Sequence, residues 1–267
     1  MTESGLFDLK GRVAMVTGAG QGVGRGIALT LAAYGAGGIV VNDFHADRAA
    51  AVVAEIETLG VRATAMVADV GNLAQVRAAV EAAEAALGPI EILVNNAGNG
   101  GPEGFPPEMP LFWETDPARW YRFLHVNLFG VMNCCHTVLP GMVARCYGRV
   151  VTITSDAARS LEPRQADYAA AKAGAAGFMR GLAGDAARFG VTANCIAIAT
   201  IRPVMPPAEL EAFLASDRTK AQLARYPIRR FGLPEDIAGT ALLLCSDAAA
   251  WITGQTYPVN GGYSAAL

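Results

Sequence analysis

Residues 17–24 read "TGAGQGVG" and separate an apolar run, "RVAMVT" at 12–17, from a helical pattern that contains "RGIALTLAAYG". A glycine-rich turn between a buried strand and a helix is typical of a dinucleotide-binding βα unit. In such a turn Gly18 permits the tight bend, Gly22 lets the backbone approach a pyrophosphate, and Gly24 lets the helix pack closely. The stretch therefore predicts an anion site at a helix N-terminus.

Short apolar runs alternate with helical patterns along almost the whole chain. The runs are nearly continuous in apolar residues, as in strands that are buried on both faces of a parallel sheet. They lie at 12–17, 38–43, 62–67, 91–96, 148–155 and 191–198. This pattern predicts an α/β fold: a Rossmann-type doubly wound parallel sheet of about seven strands with helices on both faces. No Pro- or Ser-rich linker divides the chain, so we expect residues 1–267 to form a single domain.

The composition excludes several classes of protein. The chain has 267 residues, is 52% hydrophobic and 17% charged, and carries a net charge of −3, so we expect neither disorder nor nucleic-acid binding. Apolar runs end too early to span a membrane, and the N-terminus lacks the apolar core of a signal peptide. The five cysteines and three histidines lack the spacing of a metal site or a disulfide framework. A cytoplasmic protein that acts on a small molecule, without a metal, is expected.

Asp43 ends the second predicted strand, nineteen residues after Gly24. A carboxylate at this position accepts hydrogen bonds from an adenosine ribose and repels a 2′-phosphate. The next residues, Phe44 and His45, provide no arginine for such a phosphate. The pattern favours NAD as the cofactor, with NADP less favoured.

Tyr168 and Lys172 are four residues apart in a predicted helix, so their side chains share one face. By themselves they would be an ordinary surface pair. Ser155, however, ends the fifth predicted strand at the edge of the sheet where the cofactor is expected. An ammonium beside the phenol, together with a positive nicotinamide ring, would lower the pKa of Tyr168 and allow proton exchange with an alcohol or a carbonyl. Ser155 can orient the reacting oxygen.

These motifs resemble those of a compact, single-domain short-chain dehydrogenase/reductase, and the resemblance covers essentially the whole chain. The family's T-G-x-x-x-G-x-G turn corresponds to 17–24 and its N-N-A-G motif to 95–98. The resemblance implies four catalytic residues: Asn127, Ser155, Tyr168 and Lys172. Asn127 would hold a water that links the lysine to solvent.

The resemblance also implies a set of cofactor contacts and an assembly. The contacts are Gly18, Gln21, Gly22, Val23, Gly24, Asp43, Asp69, Val70, Asn95, Ala97, Gly98, Tyr168, Lys172 and Ile201. Among these, Asp69 would contact the adenine. A homo-oligomer, either a tetramer or a dimer, would form on the helices that carry Asn127 and Tyr168.

One stretch departs from the family's pattern. Ile198 and Ala199 stand where the family has Pro-Gly, and Pro203 stands where it has a threonine that contacts the carboxamide. Proline has neither a hydroxyl nor an N–H group. The carboxamide must then be held by backbone groups near Ile201 or by Thr200, unless the loop follows another path.

Two segments are expected to line the substrate pocket. The loop 98–117 is rich in glycine and proline and carries four apolar side chains that form a wall or anchor the loop: Phe105, Leu111, Phe112 and Trp113. The lid, 200–232, has six basic and three acidic residues, which would attract an anionic tail such as that of an acyl-CoA or form a solvated face. The leading hypothesis is hydride transfer between NAD(H) and a secondary alcohol or ketone, cyclic and acyl-CoA-linked compounds included. The alternative is a non-catalytic NAD(H)-binding sensor or scaffold.

Overall fold

The computed structural model describes residues 5–98 and 110–265, which contain a seven-stranded sheet. The strands are β1 Val13–Val16, β2 Gly38–Asp43, β3 Arg62–Val67, β4 Ile90–Asn95, β5 Gly148–Ser155, β6 Val191–Ile198 and β7 Thr256–Val259. Their order across the sheet is β3-β2-β1-β4-β5-β6-β7, and every neighbouring pair is parallel. The predicted doubly wound fold is confirmed, and the six strands assigned from the sequence lie within one residue of the observed bounds.

Helices cover both faces of the sheet. They are α1 Gly22–Ala33, α2 Ala46–Thr58, α3 Leu73–Leu87, α4 Pro117–Leu124, α5 Val131–Ala144, α6 Ala166–Ala186, α7 Pro207–Ala215, α8 Asp217–Leu223 and α9 Pro234–Cys245. Helices α1, α2 and α9 bury one face of the sheet, and α3, α5 and α6 bury the other. Alternate residues of β1 enter the two cores: Ala14 and Val16 face α1, whereas Val13 and Met15 face α3 and α5.

The two edge strands are less buried than the strands between them, and for β3 this differs from the burial on both faces that its apolar run predicts. In β3, which pairs with β2 alone, Met66 is buried and Val67 is 52% exposed. Strand β7 has four half-buried residues and includes Pro258, and it pairs with β6 alone. An edge strand tolerates a proline because one side of its backbone needs no ladder hydrogen bond.

Helices α4 and α5 are joined by a π-helical turn, His125–Gly130, and form one continuous helix, Pro117–Ala144. In length and composition this helix, alone among the described residues, would suffice to cross a membrane. One such helix is weak evidence of a membrane span, because a buried core helix can have the same length and apolar composition. Here Cys134, Val138 and Met142 pack into the core beside the sheet, which accounts for the apolar character of α5.

Candidate active site

The turn after β1 has the conformation that its glycines predict. Gly18 has a φ of +59°, and a Cβ at this position would lie 2.8 Å from the Cα of Ala97. A Cβ on Gly24 would collide with the carbonyl oxygen of Gly18, so α1 begins directly against the turn. Gly22, with a φ of +56°, has nothing within 4 Å of the place a Cβ would take. The open backbone and the free N–H groups at the start of α1 fit the phosphates of a dinucleotide.

Thr17 and Asn96 tie this turn to the end of β4. The hydroxyl of Thr17 accepts hydrogen bonds from the N–H groups of Asn96 (3.0 Å) and Ala97 (2.9 Å). In return, the amide group of Asn96 donates to the carbonyl oxygens of Thr17 (2.9 Å) and Gly18 (3.0 Å). These bonds join β1 and β4 where the strand order reverses, which is the place where open α/β sheets bind ligands.

The Asp43 carboxylate is fixed at the end of β2. Its Oδ2 accepts from the N–H of Gly20 (3.0 Å) and its Oδ1 from the N–H of His45 (2.9 Å). A Cβ on Gly20 would lie 2.6 Å from the Cβ of Arg48, so the first turn of α2 places an arginine close to this carboxylate. The residues that directly follow Asp43, Phe44 and His45, do not reveal this arginine, because Arg48 comes later, in the first turn of α2.

Asp69 lies in the loop after β3 and binds a residue that no motif indicates. The Nε2 of His125, in the π-helical turn, is 2.9 Å from its Oδ2, while its Oδ1 accepts from the N–H of Gly71 (2.9 Å). Next to it, Val70 is buried, and its carbonyl oxygen accepts from the side chain of Asn133 (2.9 Å). The loop that carries the predicted adenine contact is therefore fastened to the long helix.

Ser155, Tyr168 and Lys172 are gathered at the carboxyl end of β5. The side chain of Ser155 adjoins Tyr168 and acts on the pKa of its phenol, and both residues line one cavity. Ser155 Oγ also accepts from the N–H of Ala157 (3.2 Å), which holds its side chain at the strand end. One turn further along α6, Lys172 is buried and its Nζ donates to the carbonyl oxygen of Ile153 (3.0 Å).

Asn127 lies in the π-helical turn and reaches the same place from the other side. It is fully buried, and its amide group donates to the carbonyl oxygen of Phe123 (3.0 Å). A Cβ on Gly98 would lie 2.7 Å from Asn127 Oδ1 and 2.8 Å from Lys172 Nζ. The amide oxygen and the ammonium therefore border one glycine, so all four predicted catalytic residues meet at this edge of the sheet.

Burial changes the acidity of two of these groups in opposite directions. It raises the pKa of Tyr168, and the hydrogen bond with Ser155 only partly opposes that rise. Burial lowers the pKa of Lys172 to about 8. Within the protein, the loss of solvation therefore outweighs the contact of Tyr168 with Ser155.

A cavity of about 320 Å³ opens beside Tyr168 and Ser155. Its other described walls come from the segment after β5, the end of β6, the region after α8 and the segment after β7: Asp156, Ala157, Glu162, Gln165, Ala199, Thr200, Gln222, Arg225, Tyr226 and Tyr263. The volume lies at the small end of the range for ligand pockets, roughly 300–1,000 Å³. A small molecule in this cavity would contact both the tyrosine and the serine.

Comparisons with known proteins agree with this geometry. A family model described as enoyl-(acyl carrier protein) reductase matches residues 18–264. The chain is 38% identical to 7alpha-hydroxysteroid dehydrogenase of Escherichia coli strain K12 over 98% of each chain. It is 36% identical to the 3-oxoacyl-(acyl-carrier-protein) reductase FabG of Staphylococcus epidermidis over 93% of this chain and 97% of that one.

Two solved structures are similar over nearly their whole length. One is a gluconate 5-dehydrogenase from Burkholderia cenocepacia in complex with NADP and tartrate (TM-score 0.87, 34% identity, 99% of each chain). The other is a 7 alpha-hydroxysteroid dehydrogenase complexed with NADH and 7-oxo glycochenodeoxycholic acid (TM-score 0.86, 36% identity, 98% of each chain). The chain belongs to the short-chain dehydrogenase/reductase family. It is an oxidoreductase that acts on CH–OH groups with a nicotinamide cofactor.

In this dehydrogenase the stretch that departs from the family's pattern keeps an ordered path. Ile201 forms a parallel bridge with Gly232, in which Gly232 N–H donates to the carbonyl of Thr200 (3.1 Å) and Arg202 N–H donates to that of Gly232 (2.9 Å). In a parallel bridge the amide and carbonyl of the central residue, Ile201, point to the opposite side. The hydroxyl of Thr200 accepts from the side chain of Gln222 (3.1 Å), so Ile201 offers the freer backbone groups.

The two expected substrate segments differ in what they contribute. In 98–117, residues 99–109 lie outside the described residues, and Phe105 is among them. Phe112 stacks on Trp120 (5.2 Å between ring centroids) and Trp113 is 78% exposed, so these rings anchor or border their own loop and are not part of the described cavity lining. The lid 200–232 does supply cavity walls, through the region around α8.

Three of the fourteen expected cofactor contacts have placements that the motifs alone do not indicate. The side chain of Asn95 is buried and donates to Thr152 (3.2 Å), so it joins β4 to β5, and the neighbouring Asn96 makes the bonds to the glycine turn. Gln21 precedes α1 and makes no side-chain cap bond, and Val23 packs against the core. In the sequence, the only sign that Asn96 contacts the glycine turn is that it is the second asparagine of the N-N-A-G motif.

Proposed function

We propose that this dehydrogenase transfers hydride between NAD(H) and a secondary alcohol or its ketone, with Tyr168 as the proton-transfer residue. The observation that carries the proposal is the position of Tyr168 and Ser155 side by side on the wall of a cavity of about 320 Å³. When bound, the nicotinamide supplies or accepts the hydride. The single domain carries the substrate lid at 200–232.

Each catalytic side chain has a distinct task in this proposal. Because burial raises the pKa of Tyr168, its phenol is protonated at neutral pH and can give its proton to a carbonyl oxygen as that oxygen gains negative charge. Ser155 holds the same oxygen by a hydrogen bond. Lys172 and Asn127, which both border Gly98, hold the polar path through which the tyrosine regains a proton. In the direction of alcohol oxidation the same proton moves from the alcohol to the phenolate.

Asp43 supports NAD rather than NADP as the cofactor. Its carboxylate is buried and fixed by two backbone N–H groups at the strand end where an adenosine ribose binds in this fold. A 2′-phosphate there would meet a negative charge that cannot turn away. Arg48 stands close by and would favour the phosphate, so removal of the carboxylate should reveal that preference. Relatives have been solved with NADH and with NADP, which makes this a property of the individual chain.

Nicotinamide binding also needs a partner for the carboxamide, and the structure offers Ile201. The bridge to Gly232 orders the loop after β6 and leaves the amide and carbonyl of Ile201 on the side away from Gly232. These two groups are a donor and an acceptor at fixed positions, which matches a carboxamide. The residues present therefore fit a nicotinamide dinucleotide despite the replacement of the family's threonine by Pro203.

The decisive experiment is the replacement Tyr168→Phe. We expect loss of at least about a thousandfold in turnover of secondary alcohols, while the Kd for NADH, followed by fluorescence, stays within about twofold. Tyr34→Phe, at a half-exposed tyrosine at the end of α1, is the matched control and should keep full activity. Activity retained in Tyr168→Phe would overturn the proposal. NADH binding with no turnover in the unaltered protein would favour the sensor or scaffold instead.

We also infer a homo-oligomer in a reducing compartment such as the cytoplasm. All five cysteines are free, and four of them are buried. Tyr121, Phe129 and Met132 are 70%, 45% and 38% exposed on the long helix, which supports a second copy covering that face. Sedimentation equilibrium would test the assembly, and a monomer at micromolar concentration would contradict it.

A further inference from the structure

Three side chains of the cavity lining come from separate segments of the chain and meet at one atom, Glu162 Oε1. Arg225 follows α8, and its Nη2 donates to Glu162 Oε1 (3.3 Å). Tyr263 follows β7, and its hydroxyl donates to the same oxygen. The guanidinium of Arg225 also lies over the ring of Tyr263, 4.5 Å from its centroid. We refer to these three residues as the Glu162–Arg225–Tyr263 cluster.

The cluster leaves the cavity without a surplus of positive charge. The described lining contains one guanidinium, Arg225, and two carboxylates, those of Glu162 and Asp156. Asp156 is buried, and its carboxylate accepts hydrogen bonds from the side chains of Asn260 (2.7 Å) and Ser264 (3.0 Å). It is therefore a fixed negative charge in the floor of the cavity. Coulomb repulsion from two carboxylates disfavours an anionic group at this end of the site.

Several basic residues of the lid are themselves paired with acids. Besides Arg225, Arg230 forms a two-pronged bond with Asp236, and Lys220 lies 3.7 Å from Asp217. Half of the six basic residues of 200–232 are therefore paired with acids. These pairs reduce the positive charge that would draw an acyl-CoA tail to this segment.

The cluster presents a donor and an acceptor side by side at a partly shielded position. The side chain of Glu162 is 15% exposed and that of Arg225 is 52% exposed. An apolar group placed against them would remove water from charged atoms without replacing its hydrogen bonds, which is costly. A hydroxyl group both donates and accepts, so it can bond to Glu162 and Arg225 together. The amide side chains of Gln165 and Gln222 add further polar groups to the same lining.

Resting on the proposed function, we propose that the substrate is a small, uncharged secondary alcohol that carries at least one further hydroxyl, which Glu162 and Arg225 bind. The cavity of about 320 Å³ suits a single substituted ring or a short polyol. In this arrangement Glu162 determines specificity in two ways. It accepts the second hydroxyl, and it neutralises Arg225 so that carboxylates are not attracted.

Three alcohols that share one ring test the proposal with NAD as the cofactor: cyclohexanol, 1,3-cyclohexanediol and 3-hydroxycyclohexanecarboxylate. The reacting carbon is the same in each, and only the distant substituent changes. We expect kcat/KM for the diol to exceed that for each of the other two by at least about tenfold, since a site built for a hydroxyl rejects analogues that lack one.

Variants separate recognition from general damage. Glu162→Gln frees the guanidinium, so kcat/KM for the carboxylate should rise by at least about tenfold while that for the diol falls. The double variant Glu162→Gln, Arg225→Gln should lose that gain. Arg218→Gln, at an exposed arginine of α8 outside the cavity lining, is the matched control and should leave the order of the three substrates unchanged. A rise in kcat/KM for the carboxylate in Glu162→Gln cannot result from general damage to the lid, which would lower kcat/KM for all three substrates.

Two outcomes overturn the inference while the proposed function stands. One is turnover of cyclohexanol or the carboxylate as efficient as that of the diol; the other is an equal effect of each variant on all three substrates. If none of the three is turned over, the proposed function fails for this class, and calorimetry on the NADH complex then decides the inference. Binding of the diol that weakens at least fivefold in Glu162→Gln would sustain it, and absent or unchanged binding would refute it.

Discussion

Replacement of Asp167 by alanine should lower the free energy of unfolding by about 3–5 kcal/mol, because it breaks a buried ion pair with Arg119. The two side chains form an ion pair in which Arg119 Nε lies 2.9 Å from Asp167 Oδ2. Only 10% of the arginine and 3% of the aspartate side chain are exposed, so the pair is shielded from water. A surface ion pair would contribute no more than about 1 kcal/mol.

The same substitution should also reduce turnover, because the pair adjoins the catalytic tyrosine. Asp167 Oδ1 accepts from the N–H of Tyr168 (2.9 Å), and the ring of Phe123 lies between the guanidinium of Arg119 (5.3 Å) and the ring of Tyr168 (5.8 Å). Loosening of this packing moves the phenol relative to Ser155. A displacement of that kind costs roughly 10- to 100-fold in kcat, while the Kd for NADH should not change.

Urea and thermal denaturation at one fixed protein concentration would measure the effect. With about 2–4 °C for each kcal/mol in a chain of this size, the Tm should fall by roughly 6–20 °C. Asp185→Ala, at an exposed position of the same helix, is the control and should stay within about 0.5 kcal/mol. The double variant Arg119→Met, Asp167→Leu should recover most of the loss. A loss below about 1 kcal/mol in Asp167→Ala, or a double variant no more stable than the single one, would refute the reasoning.

Three further predictions follow from charge and burial. Burial lowers the pKa of Lys172 from 10.5 to about 8, so below pH 8 the lysine is charged in both the folded and the unfolded state, and its desolvation costs about 3 kcal/mol of stability. This cost disappears as the pH rises to 10.5, so the protein should become more stable over that range. Lys172→Met should remove this rise in stability, which urea denaturation at stepped pH would measure. Asp43→Asn should improve the ratio of kcat/KM for NADP over NAD by at least about tenfold, and Arg48→Ala in that background should cancel the gain; an unchanged ratio would argue against Asp43 as the selecting residue. Because burial raises the pKa of Tyr168, alcohol oxidation should become faster between pH 7 and 10 while ketone reduction does not, and a flat oxidation profile under single-turnover conditions would contradict this assignment.

Local sequence patterns predicted the fold and the reacting end of the site because both depend on short-range rules. The apolar runs gave six strands, and their alternation with helices gave a doubly wound parallel sheet with right-handed crossovers. Ser155 ends a strand, and Tyr168 and Lys172 share a helix face, so the sheet edge brings them together without further information. Strand β7 escaped assignment because it has four residues, one of which is Pro258.

The contacts that shape the rest of the site join residues far apart in the chain. Glu162 and Tyr263 are separated by 101 residues, and Thr17 and Asn96 by 79. Each pair forms only after the sheet has set the distance between two loops, and no local pattern encodes that distance. The pKa of Tyr168 is a similar case, because the degree of burial, which raises it, is a property of the packed chain.

The π-helical turn His125–Gly130 carries both a residue that a local motif predicts and a residue whose contact is long-range. Side chains two positions apart on a helix point in different directions, and here His125 reaches Asp69 while Asn127 reaches the space beside Gly98. One turn thus fastens the predicted adenine end of the cofactor groove and the proton-transfer end to the same helix. Asn127 is buried within this turn, so its position depends on the turn as well as on its own side chain. Such π-helical turns are commonly found at functional sites. Asn127 can be found from its motif, but its placement beside Lys172 and the contact of the neighbouring His125 with Asp69 arise from the irregular helix that carries both residues.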